Sequence, residues 1–143
     1  MVIASLIVAM TASLPAAMAD GDGLEPPMHN PHLPPVAEVT ILKSGVTLPE
    51  SPEATKECSA FKLSPQEVRA YISNASEVVK HDYAEVLDWS PCSTNGTVAF
   101  QNGVTGTWEI QKYRAGTLTL SNARTLYLYC PQCQAKAFPA ADE

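Results

Sequence analysis

The sequence predicts an α+β domain in which one short helix precedes an antiparallel β-meander of four to six strands, the whole stabilised by disulfides. Three observations carry this. A capping-box pattern stands at Ser64-Pro65-Gln66-Glu67, the apolar period changes from helical to two after Asn74, and four cysteines follow a leader-like N-terminus.

Val2 to Leu14 is apolar or small and uncharged, Pro15 ends the run, and Ala17-Met18-Ala19 supplies small residues before Asp20. Residues 1–19 therefore read as a secretory leader, too short to span a bilayer. Residues 20–57 form an acidic, proline-rich arm. Its first part holds Pro26, Pro27, Pro31, Pro34 and Pro35 and reads as extended and mobile. Val36, Val39, Thr40 and Ile41 give residues 36–43 the character of a short leading edge strand. Residues 58–143 make up a single α+β domain.

Ser64 is suited to cap a helix, Pro65 to occupy its first position, and Glu67 to bond back to the cap. Val68, Tyr71 and Ile72 then recur at helical spacing, and Asn74 is a stop. Glu77–Lys80 and Tyr83–Trp89 flank His81-Asp82 and read as a hairpin, with a helix there as the open alternative. Better strands run over 97–101, 107–112, 117–121 and 125–130, joined by turn residues Asn102-Gly103, Gly116 and Asn122.

Parity constrains the first of these turns. A two-residue turn at Asn102-Gly103 would set Val98 and Phe100 on the face of Thr105 and Thr107. The apolar faces align only with one extra residue, in a three-residue loop or in a bulge at Gly106. The inner face is then Val98, Phe100, Trp108, Ile110, Leu118, Leu120, Leu126 and Leu128. The outer face is Thr97, Thr107, Glu109, Gln111, Thr117, Thr119, Tyr127 and Tyr129. This order of elements is similar to that of cystatin-like folds, where a sheet wraps one helix. The likeness implies a fold and no activity.

The net charge is −6, but residues 20–57 hold seven acids against two bases, while eight acids face seven bases from Cys58 onward. A nearly neutral folded part argues against nucleic acid as a partner. No stable membrane insertion is expected, and no cofactor is implied.

In an exported domain Cys58, Cys92, Cys130 and Cys133 read as two disulfides, with three pairings open. Cys130-Pro131-Gln132-Cys133 also has the form of a redox or zinc-binding turn. A redox site calls for a helix and strand after it, and only ten residues remain. His29 and His32 beside Met28 lie on an arm without preformed metal geometry. His81-Asp82 lacks a marked nucleophile, and Glu85 and Asp88 fall on opposite faces of a strand. Asn74-Ala75-Ser76 and Asn95-Gly96-Thr97 are glycosylation sequons, meaningful only in a eukaryotic secretory route.

With no catalytic set, the expected function is that of an exported, non-enzymatic binding protein, periplasmic or secreted. The most concrete form is an inhibitor or immunity-type protein with one protein partner in the cell envelope. Tyr127 and Tyr129, with Thr117 and Thr119 beside them, are its expected contact residues, because tyrosine gives contact area at low entropic cost. A thiol–disulfide or metal-handling protein using Cys130 and Cys133 is the enzyme-class alternative. A structural envelope component is the third reading.

Overall fold

A computed structural model describes residues 25–47 and 52–140. The expected leader lies outside them. The elements in chain order are β1 (Val36–Thr47), α1 (Pro52–Cys58), α2 (Pro65–Asn74), β2 (Ser76–Val78), α3 (Lys80–Glu85), β3 (Cys92–Phe100), β4 (Thr105–Gln111), β5 (Ala115–Leu120) and β6 (Thr125–Tyr129). The strands form one six-stranded antiparallel sheet in the order β1-β3-β4-β5-β6-β2. The α+β class, the leading strand and the disulfides are as the sequence predicts.

Local chemistry sets the principal helix. The Ser64 hydroxyl accepts from the Glu67 amide at 3.1 Å, and the Glu67 carboxylate accepts from the Ser64 amide at 2.8 Å. Two amides that a helix start leaves without partners are thereby satisfied, an arrangement that contributes about 1 kcal/mol. Ten residues cannot hold a helix alone in water. Val68, Tyr71 and Ile72 supply the rest by burying against the inner face of the sheet. The Tyr71 hydroxyl donates to the Arg114 carbonyl at 2.8 Å, fixing the helix over the β4–β5 end.

All eight residues assigned to the inner face are buried. The parity problem is solved by a three-residue loop: the Phe100 amide donates to Val104, and the Gly103 amide donates back to Phe100. Gly103 adopts φ +85°, the left-handed conformation such a loop needs. The next two hairpins repeat this device. Arg114 (φ +71°) donates to Gln111, and Ala123 (φ +69°) donates to Leu120. Ala123→Gly removes the steric cost of a Cβ in that region, and Gly's looser unfolded state offsets part of the gain. The variant is expected to be more stable by roughly 0.5–1 kcal/mol in urea unfolding.

Several expectations are corrected. The hairpin expected over 77–89 is instead the short β2 followed by α3. Val79, Tyr83 and Leu87 recur four apart, and the Tyr83 amide bonds to Val79 as a helix requires. His81 and Asp82 accordingly lie in a helical turn. Gly116 is a strand residue, not a turn residue; a Cβ there would come within 2.9 Å of the Tyr71 hydroxyl. Gln111 is buried, because its side chain accepts from the Ser90 amide and donates to the Asp88 carbonyl. The sheet also takes in residues 36–47, ahead of Cys58, since β1 pairs with β3 along its length. The stretch before it is extended but attached: His29 exchanges two backbone bonds with Glu77, and Pro35 accepts from Gln101.

The C-terminal residues close one end of the core. Phe138 is buried, with its ring centroid 6.1 Å from that of Phe61 and the Arg114 guanidinium 5.1 Å above it. Arg114 also donates to the carbonyls of Cys133 and Pro139.

Candidate partner-binding face

Strand register arranges the outer face in rows. One row takes a threonine from each of five adjacent strands: Thr40, Thr97, Thr107, Thr119 and Thr125. The Thr119 and Thr125 hydroxyls approach to 3.3 Å. The next row crosses all six strands as Lys43, Asn95, Glu109, Thr117, Tyr127 and Val78. Tyr129 stands one row further on, opposite Ala115 and Ser76.

The four expected contact residues thus share one face but differ in access. Thr119 is exposed; Thr117, Tyr127 and Tyr129 are half-buried. Helix α3 accounts for Tyr127, since its Tyr83 ring lies 5.1 Å from the Tyr127 ring. Tyr129 lines a cleft of about 380 Å³ with Glu25, Asp88, Tyr113, Arg114, Pro131, Pro139 and Ala140. Burial, then the Glu25 and Asp88 carboxylates, push the Tyr129 hydroxyl above its ordinary value, while Arg114 acts the other way. Its hydroxyl therefore stays protonated at neutral pH and is available as a donor.

The sequence did not point to Tyr83 or to the special position of Glu109. Partial burial raises the Glu109 carboxyl above its ordinary 4.5. A raised value in the folded state means that the charged form is the one folding disfavours. This group's penalty is absent below about pH 4.5 and grows as pH rises through the folded value. Glu109→Gln is therefore expected to stabilise the protein at pH 7, with the difference from wild type vanishing on acidification below 4.5. Urea unfolding of both proteins between pH 3.5 and 7.5 checks this; a difference that does not vary with pH would refute it.

The cysteines pair as Cys58–Cys92 and Cys130–Cys133, and none among the described residues is free. Cys130 is fully buried, Cys133 is 8% exposed, and turn residues rather than a helix follow them. His29 lies in the bridge to Glu77, while His32 sits beyond a turn where its amide meets the Asn30 side chain. Asn74 ends α2 with its side chain bonded to the Ala70 carbonyl, and Asn95 lies within β3. Among the described residues no three His, Cys, Asp or Glu side chains converge as a metal site would require.

No family model, curated protein or solved structure matches this chain. Its functional reading rests on its own surface and chemistry. Two disulfides indicate an oxidising, extracytoplasmic setting. No helix among the described residues is long and apolar enough to cross a membrane.

Large apolar side chains remain exposed beside the outer face. Val79 and Val86 flank α3, Trp89 follows it at 64% exposure, and Tyr113 stands at the cleft beside Tyr129. The loop that carries Trp89 is fixed to β4 by the two Gln111 bonds to Asp88 and Ser90. A large indole is thereby presented to solvent on an anchored loop.

Proposed function

We propose that this chain is an exported, non-catalytic protein-binding module, an inhibitor or immunity-type protein that occupies one partner in the cell envelope. The contact surface is the outer face around Thr117, Thr119, Tyr127 and Tyr129, widened by Tyr113 and Trp89. The observation that carries the reading is the exposure of Tyr113, which lines the Tyr129 cleft, and of Trp89, which follows the cleft residue Asp88 in the chain. Tryptophan and tyrosine dominate the energetics of protein interfaces, and a rigid anchor loses little entropy on binding.

The test uses the mature chain, immobilised, against an envelope extract from its source cells. One protein is expected to be retained in stoichiometric amount. Trp89→Ala and Tyr129→Ala are each expected to weaken its binding by roughly 30-fold, the loss typical of an interface anchor. Both variants should keep the wild-type unfolding midpoint within a few degrees. Undiminished binding by both removes the surface assignment, and recovery of no specific protein removes the function.

A further inference from the structure

The two edges of the sheet are treated differently. At one edge β2 is only three residues long and is bridged on its far side by His29. At the other, β1 runs for twelve residues, and no further strand among the described residues pairs with it. Val39 and Ile41 pack their side chains on the core, but among the described residues the hydrogen bonds that reach β1 from outside the sheet fall near its ends. Arg69 donates to the carbonyls of Val36 and Ala37 at 2.7 and 2.9 Å, and the Gly45 amide donates to Phe61 at 2.9 Å. Between these anchors lies the stretch from Glu38 to Ser44, with Glu38, Thr40, Leu42, Lys43 and Ser44 exposed.

An open edge accepts an extended strand by backbone hydrogen bonding, and its side chains decide which strand is tolerated. Register with β3 fixes where those side chains lie. Glu38, Thr40 and Lys43 pair with Ala99, Thr97 and Asn95 on the outer face, and Val39 and Ile41 pair with Val98 and Gly96 on the inner face. This holds because the register shifts between Ile41 and Lys43, which makes Leu42 the extra residue of a bulge.

This pattern is complementary to itself. When two β1 strands run antiparallel about a two-fold axis through Thr40, Thr40 meets Thr40 and Val39 meets Ile41 on the inner face. Glu38 then meets Lys43 on the outer face, and symmetry gives the last two contacts twice. Among the described residues neither Glu38 nor Lys43 has an ion-pair partner within the chain. An unpaired edge lysine repels most strands, so only one bringing a carboxylate opposite it is welcome.

We propose that β1 is a homodimer interface. A second copy adds its β1 antiparallel about Thr40, joining two six-stranded sheets into one and extending the threonine row across the junction. The assignment is independent of the partner-binding reading, which uses the other side of the sheet's span.

The test measures the mass of the full mature chain by sedimentation across a concentration series. A reversible dimer is expected. Lys43→Glu sets carboxylates opposite each other twice and is expected to weaken it roughly ten-fold or more, given the usual cost of such pairs. Combining Lys43→Glu with Glu38→Lys restores the attraction and should restore the dimer. Directly opposed strand residues lie about 4.5–5.5 Å apart at Cα, within disulfide reach, so Thr40→Cys should cross-link as a dimer on oxidation. All variants are checked by thermal melting, and the cross-link reads the register without altering the charges. A chain that stays monomeric at its highest soluble concentration overturns the proposal. So does a dimer indifferent to Lys43→Glu, a double variant that fails to restore association, or a Thr40→Cys protein that does not cross-link.

Discussion

Replacing Cys58 and Cys92 together by alanine is expected to lower stability by about 4 kcal/mol, the loop-closure value for cysteines 34 residues apart. The same estimate for Cys130 and Cys133, only 3 residues apart, is about 2 kcal/mol. Position in the fold points the same way. The first bond ties the end of α1 to the first residue of β3, at the register point where Thr47 of β1 pairs with Cys92. Losing it lets the strand pair and the short helix separate from one corner at once. The second bond closes a turn that Arg114 already holds through the Cys133 carbonyl. Both pairs are buried, so the packing loss from alanine is similar and the difference reports chain entropy. Urea unfolding of the two double variants is the measurement. The first should unfold roughly 10–20 °C lower than wild type in a thermal scan. Equal losses for the two pairs would sink the loop-closure account.

The features that could be read from the sequence are those whose cause is local. The start of α2 could be placed because Ser64, Pro65 and Glu67 act within a single turn. The inner face could be placed because alternation over the last three strands leaves one consistent set of apolar residues, and parity then demanded one odd residue, in the loop or at Gly106. What escaped depends on partners distant in sequence. The strand expected from residue 97 begins at Cys92, and within that polar extension Thr94 is fully buried, its hydroxyl satisfied by the Phe61 carbonyl 33 residues away. The left-handed positions of Arg114 and Ala123 carry no glycine to announce them. The same holds at the outer face. That Tyr127 and Tyr129 share it follows from alternation, but the cover given by Tyr83 depends on where a six-residue helix docks. The helical recurrence of Val79, Tyr83 and Leu87 was the available signal, and β-type residues around it masked it.

Gly96→Ala is the single substitution expected to do most damage, roughly 3 kcal/mol or more, because the added methyl has no space on either side. Gly96 sits in the middle of β3, opposite Ile41 of β1 and Trp108 of β4. A Cβ built there falls 1.9 Å from the Thr40 carbonyl oxygen and 2.7 Å from Cζ2 of Trp108. The first neighbour is backbone and cannot swing aside. The second belongs to a buried indole whose Nε1 donates to the Thr97 carbonyl at 2.9 Å. Relief requires β1 to move off the sheet or Trp108 to leave its place. Other glycines grade the effect. At Gly116 the nearest backbone atom is 2.7 Å away and a tyrosine hydroxyl 2.9 Å away, so Gly116→Ala should cost less. At Gly103 nothing lies within 4 Å and only the φ of +85° resists a side chain, so Gly103→Ala should cost about 1 kcal/mol. The order of urea midpoints is therefore Gly103→Ala highest, then Gly116→Ala, then Gly96→Ala. A Gly96→Ala protein as stable as Gly103→Ala would mean that β1 does not pack this closely on β3. The sequence shows Gly96 only as the middle of a sequon; its place between two strands gives it a structural reason to be glycine.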